Sequence, residues 1–170
     1  MEAERRQKVF DWLANAGIGY ELHEHPAAAT VETALKYWAD LPGVTHCKNL
    51  FLRNHKGDRH YLVILECHKQ LDIRALWHQL GESRLSFASA ERMMKYLGTT
   101  PGSVSLFSLI NDEGNAVSLL LDADLASADR ISFHPNDNTA SLVIDREGFS
   151  RFLALCGNRH RFIRLPQAAN

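Results

Sequence analysis

The sequence predicts an α+β fold, a single domain over 1–170 in which a mixed, curved sheet is surrounded by helices. Three observations predict it. Short apolar runs joined by turn-forming stretches read as neighbouring hairpins. Capped, helix-periodic segments are scattered among them rather than gathered at one end. A chain of 170 residues with 45% hydrophobic composition can bury a sizeable core, and no linker-like break divides it.

The opening helix is expected over about Glu2 to Ala16, with Val9, Phe10 and Leu13 on one side and Gly17 suited to end it. Tyr20 to Glu24 alternates like a short strand. His25-Pro26-Ala27-Ala28-Ala29 then reads as a loop running into a Thr30-capped helix that reaches Asp40 and stops at Leu41-Pro42-Gly43. Lys48 opens what reads as a buried strand, Asn49-Leu50-Phe51-Leu52, which turns through Asn54-His55-Lys56-Gly57-Asp58 into Tyr61 to Leu65. Asp72 can cap a helix through Leu80 with Gly81 as its stop, and Ser89 can cap another through Leu97. Val104 to Leu109, Ala116 to Leu121, Ile131 to His134 and Ser141 to Asp145 read as strands, with a turn over Asn111 to Asn115. A last helix runs from about Glu147 to Cys156, before a possible edge strand at Arg161 to Leu165.

The three cysteines, Cys47, Cys67 and Cys156, are widely spaced and contain no CxxC pair, so they imply neither a disulfide framework nor a zinc ribbon, and a cytoplasmic setting is expected. No apolar run approaches the roughly 20 residues that span a bilayer, and neither signal peptide nor membrane anchor is expected. A net charge of −1 argues against a protein devoted to nucleic-acid binding, although Lys36 to Lys95 holds enough Lys and Arg for contact with a few phosphates.

Lys48 is the most informative residue. Burying an ammonium without a partner is costly, so a lysine here either guards a strand edge against pairing or serves a site. Leu97-Gly98-Thr99-Thr100-Pro101-Gly102-Ser103-Val104 sets glycines around a proline, which lets backbone approach a ligand closely. Phe133-His134-Pro135-Asn136-Asp137-Asn138-Thr139 places a histidine before polar turn residues.

These segments, in the order His25 to Ala34, Lys48 to Leu52, Gly98 to Val104 and His134 to Thr139, resemble the YbaK/prolyl-tRNA synthetase-associated domain family of aminoacyl-tRNA editing enzymes, and within it the free-standing alanyl-tRNA(Pro) deacylases. The resemblance covers almost the whole chain. One departure is visible: Leu106 stands before Phe107 where the family usually has proline, and a changed pocket wall is expected from it.

The resemblance implies a metal-free, cofactor-free hydrolase that acts on the acceptor end of mischarged tRNA, with a transient prolyl-tRNA synthetase contact as a further expectation. It points to catalysis by Lys48, His134, Gly98 and Gly102 and to substrate binding by Thr30, Asn49, Thr100, Pro101, Ser103 and Asn138, while Arg84 and Lys95, outside the matching segments, are candidates for the surface that meets the tRNA. Hydrolysis of an activated ester asks for a positioned water and stabilised negative charge, which a fixed cation and loop amides supply. By residue type alone, Thr30 is first a helix cap, Asn49 either a ligand or a strand cap, and Arg84 and Lys95 solvated charge. Asn138 and Thr139 are expected to pin the His134 loop by local side-chain bonds.

Competing readings are a metal hydrolase built on His23-Glu24-His25, a non-catalytic module using the same pocket, and a relative acting on cysteine, serine or threonine mischarged to tRNA. No HExxH helix and no Gly-x-Ser-x-Gly elbow is present.

Overall fold

The computed structural model describes residues 2–169. In chain order the elements are α1 (Glu2–Ala16), β1 (Glu21–Glu24), α2 (Val31–Trp38), β2 (Thr45–Asn54), β3 (His60–Glu66), α3 (Ile73–Leu80), β4 (Leu85–Phe87), α4 (Ala90–Leu97), β5 (Val117–Asp122), β6 (Arg130–Phe133), β7 (Ala140–Asp145), α5 (Arg146–Leu155) and β8 (His160–Ile163). The helix boundaries follow local chemistry. Thr30, Asp72 and Ser89 accept the backbone N–H of the third residue beyond them, and Gly81 and Gly98 close α3 and α4 in the left-handed region.

The strands form one mixed sheet in the order β1-β7-β6-β2-β3-β5-β8, with β4 also paired to β2. The pairs β2/β3, β6/β7 and β1/β7 are antiparallel, whereas β2/β6, β3/β5 and β5/β8 are parallel. β3 is central and buried on both faces. Its Leu62 and Ile64 join the main core with Phe51, Leu119 and Phe107, while Val63 and Leu65 join a second cluster with Leu76, Leu120 and Leu165. Successive side chains on a strand point to opposite faces, so one uninterrupted apolar run serves both clusters. A third, smaller cluster of Ala28, Ala34, Trp38 and Cys67 lies under α2.

Three elements differ from expectation. β2 begins at Thr45, so Lys48 lies within the strand rather than opening it. Val104 to Leu109 is not a strand: Ser105 caps a 3-10 helix at Leu106–Asn111, its side chain accepting the Phe107 N–H while the Ser108 side chain accepts the Ser105 N–H. Leu106, Phe107 and Leu109 are all buried, which removes the alternation a half-exposed strand requires. β4, only three residues long, was not anticipated.

Leu106 also corrects an expectation. It is buried in the main core and does not border the space beside Lys48. It occupies the first position after the Ser105 cap, a place that suits proline equally, so the exchange leaves the local backbone intact.

Candidate functional site

The topology leaves a gap along β2. Cys67 N–H donates to the His46 carbonyl and Asn54 N–H to the Arg59 carbonyl, so the even-numbered residues of β2 turn their main-chain groups toward β3 and the odd-numbered ones away. On that other edge, β6 pairs only with Thr45 and His46, and β4 begins at Leu52. Between them lies a cavity of about 270 Å³, lined by Cys47 to Phe51 of β2 and closed by the loops before α2 and after α4.

Lys48 lines this cavity, and its Nζ donates to the Lys69 carbonyl at 2.6 Å. An ammonium has three donors, and this bond holds the charge in place while using one of them. Asn49 lines the cavity as well, and its Oδ1 is buried without a hydrogen-bond partner. A buried unpaired acceptor costs about 1–3 kcal/mol, so its retention beside a cavity marks a place for a ligand donor.

His134, just past the end of β6, reaches the cavity from the other side. Its Nδ1 bonds the Ala140 carbonyl at 2.8 Å. A carbonyl only accepts, so Nδ1 carries the proton and Nε2 is left as an acceptor. Burial holds the imidazole below its ordinary pKa, against the opposing Ala140 bond, which keeps the ring neutral near pH 7. The Ser105 hydroxyl fixes the loop by donating to the His134 carbonyl at 2.6 Å.

Pro101 and Gly102 form the facing wall. At φ +89°, Gly102 packs so closely on Ala29 that an added Cβ would lie 3.2 Å from the Ala29 Cβ. Thr30 both borders the cavity and caps α2, with the Thr33 N–H donating to its Oγ1 at 3.2 Å. The remaining lining is apolar, including Ala28, Ala34, Trp38, Val104 and Met93.

The cavity thus gathers Lys48, Asn49, His134, Thr30, Pro101 and Gly102. It does not gather the others. Gly98 ends α4 and backs onto Asn111, whose Nδ2 would stand 2.8 Å from an added Cβ. Thr100 offers its carbonyl to the Ser103 N–H in the turn that presents Pro101 and Gly102, and neither residue lines the cavity. Asn138 contributes its carbonyl, which accepts the Ala28 N–H and ties the two loops together. Of the local pinning expected of Asn138 and Thr139, that of Thr139 is present, its N–H and hydroxyl both donating to Asp137 Oδ1. Arg84 and Lys95 are exposed and outside the cavity.

Sequence reasoning missed Asp137, Ser105, Trp38 and Met93. The Asx-type spacing of Asp137 and Thr139 was the one legible signal. His25, one of the two histidines considered for a metal, has Nδ1 on the Pro26 carbonyl and Nε2 on the Ser141 hydroxyl. No helix among the described residues is long and apolar enough to cross a membrane.

Comparison with known proteins identifies the family. The family model described as the aminoacyl-tRNA editing domain matches residues 25–152. The chain is 37% identical to the prolyl-tRNA editing protein ProX of Acetoanaerobium sticklandii, over 97% of this chain and 100% of that one. It is 30% identical to prolyl-tRNA synthetase associated domain-containing protein 1 of Mus musculus, over 92% and 94% of the two chains. In fold it resembles a crystal structure described as a proposed trans-editing enzyme for prolyl tRNA synthetase, with a TM-score of 0.68 at 21% identity over 95% of this chain and 98% of that one. The chain belongs to the aminoacyl-tRNA editing domain family.

Proposed function

We propose that this chain is a trans-acting deacylase that hydrolyses the ester of alanyl-tRNA(Pro), clearing a charging error before it reaches the ribosome. The hydrolase class follows from the editing-domain family and from the likeness to a prolyl-tRNA editing protein. The proposal extends that class to alanine as the amino acid, proline tRNA as the carrier, the cytoplasm as the setting and a passing contact with prolyl-tRNA synthetase.

The observation that carries it is the convergence of a held cation, an unpaired buried acceptor and a neutral imidazole on one small, mostly apolar cavity. Water adds to the ester carbonyl, and negative charge develops on the carbonyl oxygen. Lys48 Nζ, with donors to spare after its bond to Lys69, stabilises that charge in a partly dry setting. Asn49 Oδ1 accepts from the substrate's α-ammonium and so aligns the carbonyl. His134 Nε2 accepts from a hydroxyl at the ester, either the attacking water or the neighbouring ribose hydroxyl. The bond from the acyl carbon to the ribose oxygen then breaks, releasing alanine and tRNA with a free terminal hydroxyl. No step is routed through a metal.

Apolar walls of Ala28, Ala34, Trp38 and Val104 favour a methyl side chain, and a ring forced among them meets an overpacking cost of roughly 1–3 kcal/mol. The test is release of labelled amino acid from alanyl-, cysteinyl-, seryl- and prolyl-tRNA(Pro). Rapid release from the alanyl substrate is expected. Preference for another substrate would replace alanine, and binding without hydrolysis would make the chain a non-catalytic module.

A further inference from the structure

Where β3 runs out, Glu66, Cys67 and His68 converge outside the lining of the main cavity. The Lys69 N–H donates to the Glu66 carbonyl at 3.0 Å, and the resulting turn breaks the alternation that would otherwise send successive side chains apart. Cys67 Sγ lies 3.4 Å from Glu66 Oε1 and 3.5 Å from His68 Nδ1, and His68 Nδ1 lies 2.6 Å from the same carboxylate oxygen. The His68 backbone N–H holds the other carboxylate oxygen at 3.0 Å. Among the described residues, this is the group of three or more His, Cys and acidic donors that all lie within 4.8 Å of one another.

We propose that Glu66, Cys67 and His68 form a carboxylate–thiolate–imidazole site for a soft divalent cation of the zinc class, and that its occupancy inhibits the neighbouring cavity. Nitrogen, oxygen and sulfur ligands about 2.0–2.3 Å from a tetrahedral zinc stand roughly 3.3–3.6 Å from one another. Both sulfur distances already meet that spacing, and the nitrogen–oxygen pair opens as the His68 ring shifts its proton from Nδ1 to Nε2 and the cation takes the vacated place. The donor set mixes soft sulfur with imidazole and carboxylate, which suits zinc better than magnesium or calcium. Exposed His68 and half-buried Glu66 provide the entry side. Binding is balanced by release of the Cys67 thiol proton to solvent as the sulfur–metal bond forms.

The link to the cavity is short. Lys69, next in the chain, supplies the carbonyl that holds Lys48 Nζ. Cys67 also packs with Ala28, Ala34 and Trp38, which line the cavity wall. A dication bound on this turn repels the Lys48 ammonium and draws Cys67 out of its apolar contacts. The inhibitory half rests on the deacylase reading, whereas the binding half does not.

The test uses the full chain, freed of metal by dialysis against a chelator. Titration with Zn²⁺ alone should show one equivalent bound. Co²⁺ as a spectroscopic probe should give a thiolate-to-metal band that Cys67→Ser removes. His68→Ala, at an exposed position, should weaken Zn²⁺ at least tenfold while leaving the fold unchanged. Absence of the cobalt band, or equal Zn²⁺ affinity in wild type and His68→Ala, overturns the site. Saturating Zn²⁺ should lower deacylation at least tenfold, reversibly on chelation and not in His68→Ala; binding with undiminished turnover overturns the coupling. A chain that binds the metal but deacylates nothing counts against the deacylase reading and leaves the site standing.

Discussion

Lys48→Met is the sharpest test of the mechanism, because it keeps the aliphatic stem and removes only the charge and its donors. A unit charge about 4 Å from the developing oxyanion contributes about 4 kcal/mol at an effective dielectric near 20. Spread over the rate, that is about a thousandfold, and loss of a single oxyanion donor elsewhere costs about 10²–10³ in turnover. The fold should tolerate the change. The Lys69 carbonyl loses its partner, but Lys69 is only half-buried and water can replace the missing donor, which limits the cost to about 1 kcal/mol. Single-turnover hydrolysis of alanyl-tRNA(Pro), with circular dichroism and thermal unfolding as controls, measures both. A folded Lys48→Met protein whose rate stays within fivefold of wild type would refute the electrostatic role of Lys48.

Asn49→Leu should raise stability by about 1 kcal/mol, by removing a buried unpaired acceptor, while KM for the aminoacyl substrate rises at least tenfold; denaturant unfolding and steady-state kinetics decide it. Gly98→Ala should destabilise by about 1–2 kcal/mol, since φ is +63° and Asn111 blocks the Cβ, yet leave turnover of the folded protein unchanged because Gly98 lies outside the cavity. The histidines predict acid sensitivity. Burial lowers both His46 and His60 to about 4, so between pH 6.5 and about 4 the unfolded chain binds protons that the native chain refuses, and stability falls as pH falls through that window. Urea unfolding at pH 7 and pH 5 should show the decline, and an unchanged midpoint would contradict it.

Much of the fold was legible because its signals are local. Thr30, Asp72 and Ser89 each satisfy a helix N-terminus within three residues, and Gly81 and Gly98 end helices by adopting a conformation other residues resist. The hairpin of β2 and β3 was equally plain, since its turn and both apolar runs are contiguous. Val104 to Leu109 misled because every residue there is buried, the two serines included, and a short, fully buried segment does not distinguish a strand from a tight helix by its pattern. The site divides the same way. Lys48 and His134 stand out by residue type, and Asp137 pins the His134 loop through Thr139 only two residues on, but Ser105, which holds the His134 carbonyl, and Trp38, which forms a cavity wall, have roles set by contacts distant in sequence. Gly98 and Gly102 look alike in the sequence, and only packing separates a helix stop against Asn111 from a cavity wall against Ala29.

The cavity and its chemistry share one topological cause. β2 is long enough to pair with β6 at its start and β4 near its end, and neither neighbour reaches the residues between. Asn49 falls in that interval with its main-chain groups turned away from β3, beside a side-chain oxygen that finds no partner. Lys48 sits one residue earlier, its charge anchored to the turn that follows β3. Extending β6 or β4 by two residues would satisfy the ladder and remove a cost of buried polar groups, but it would also fill the space a substrate needs. The unpaired stretch of β2 is therefore a stability sacrifice at the place where function requires one, which is where sequence rules of strand completion are expected to fail.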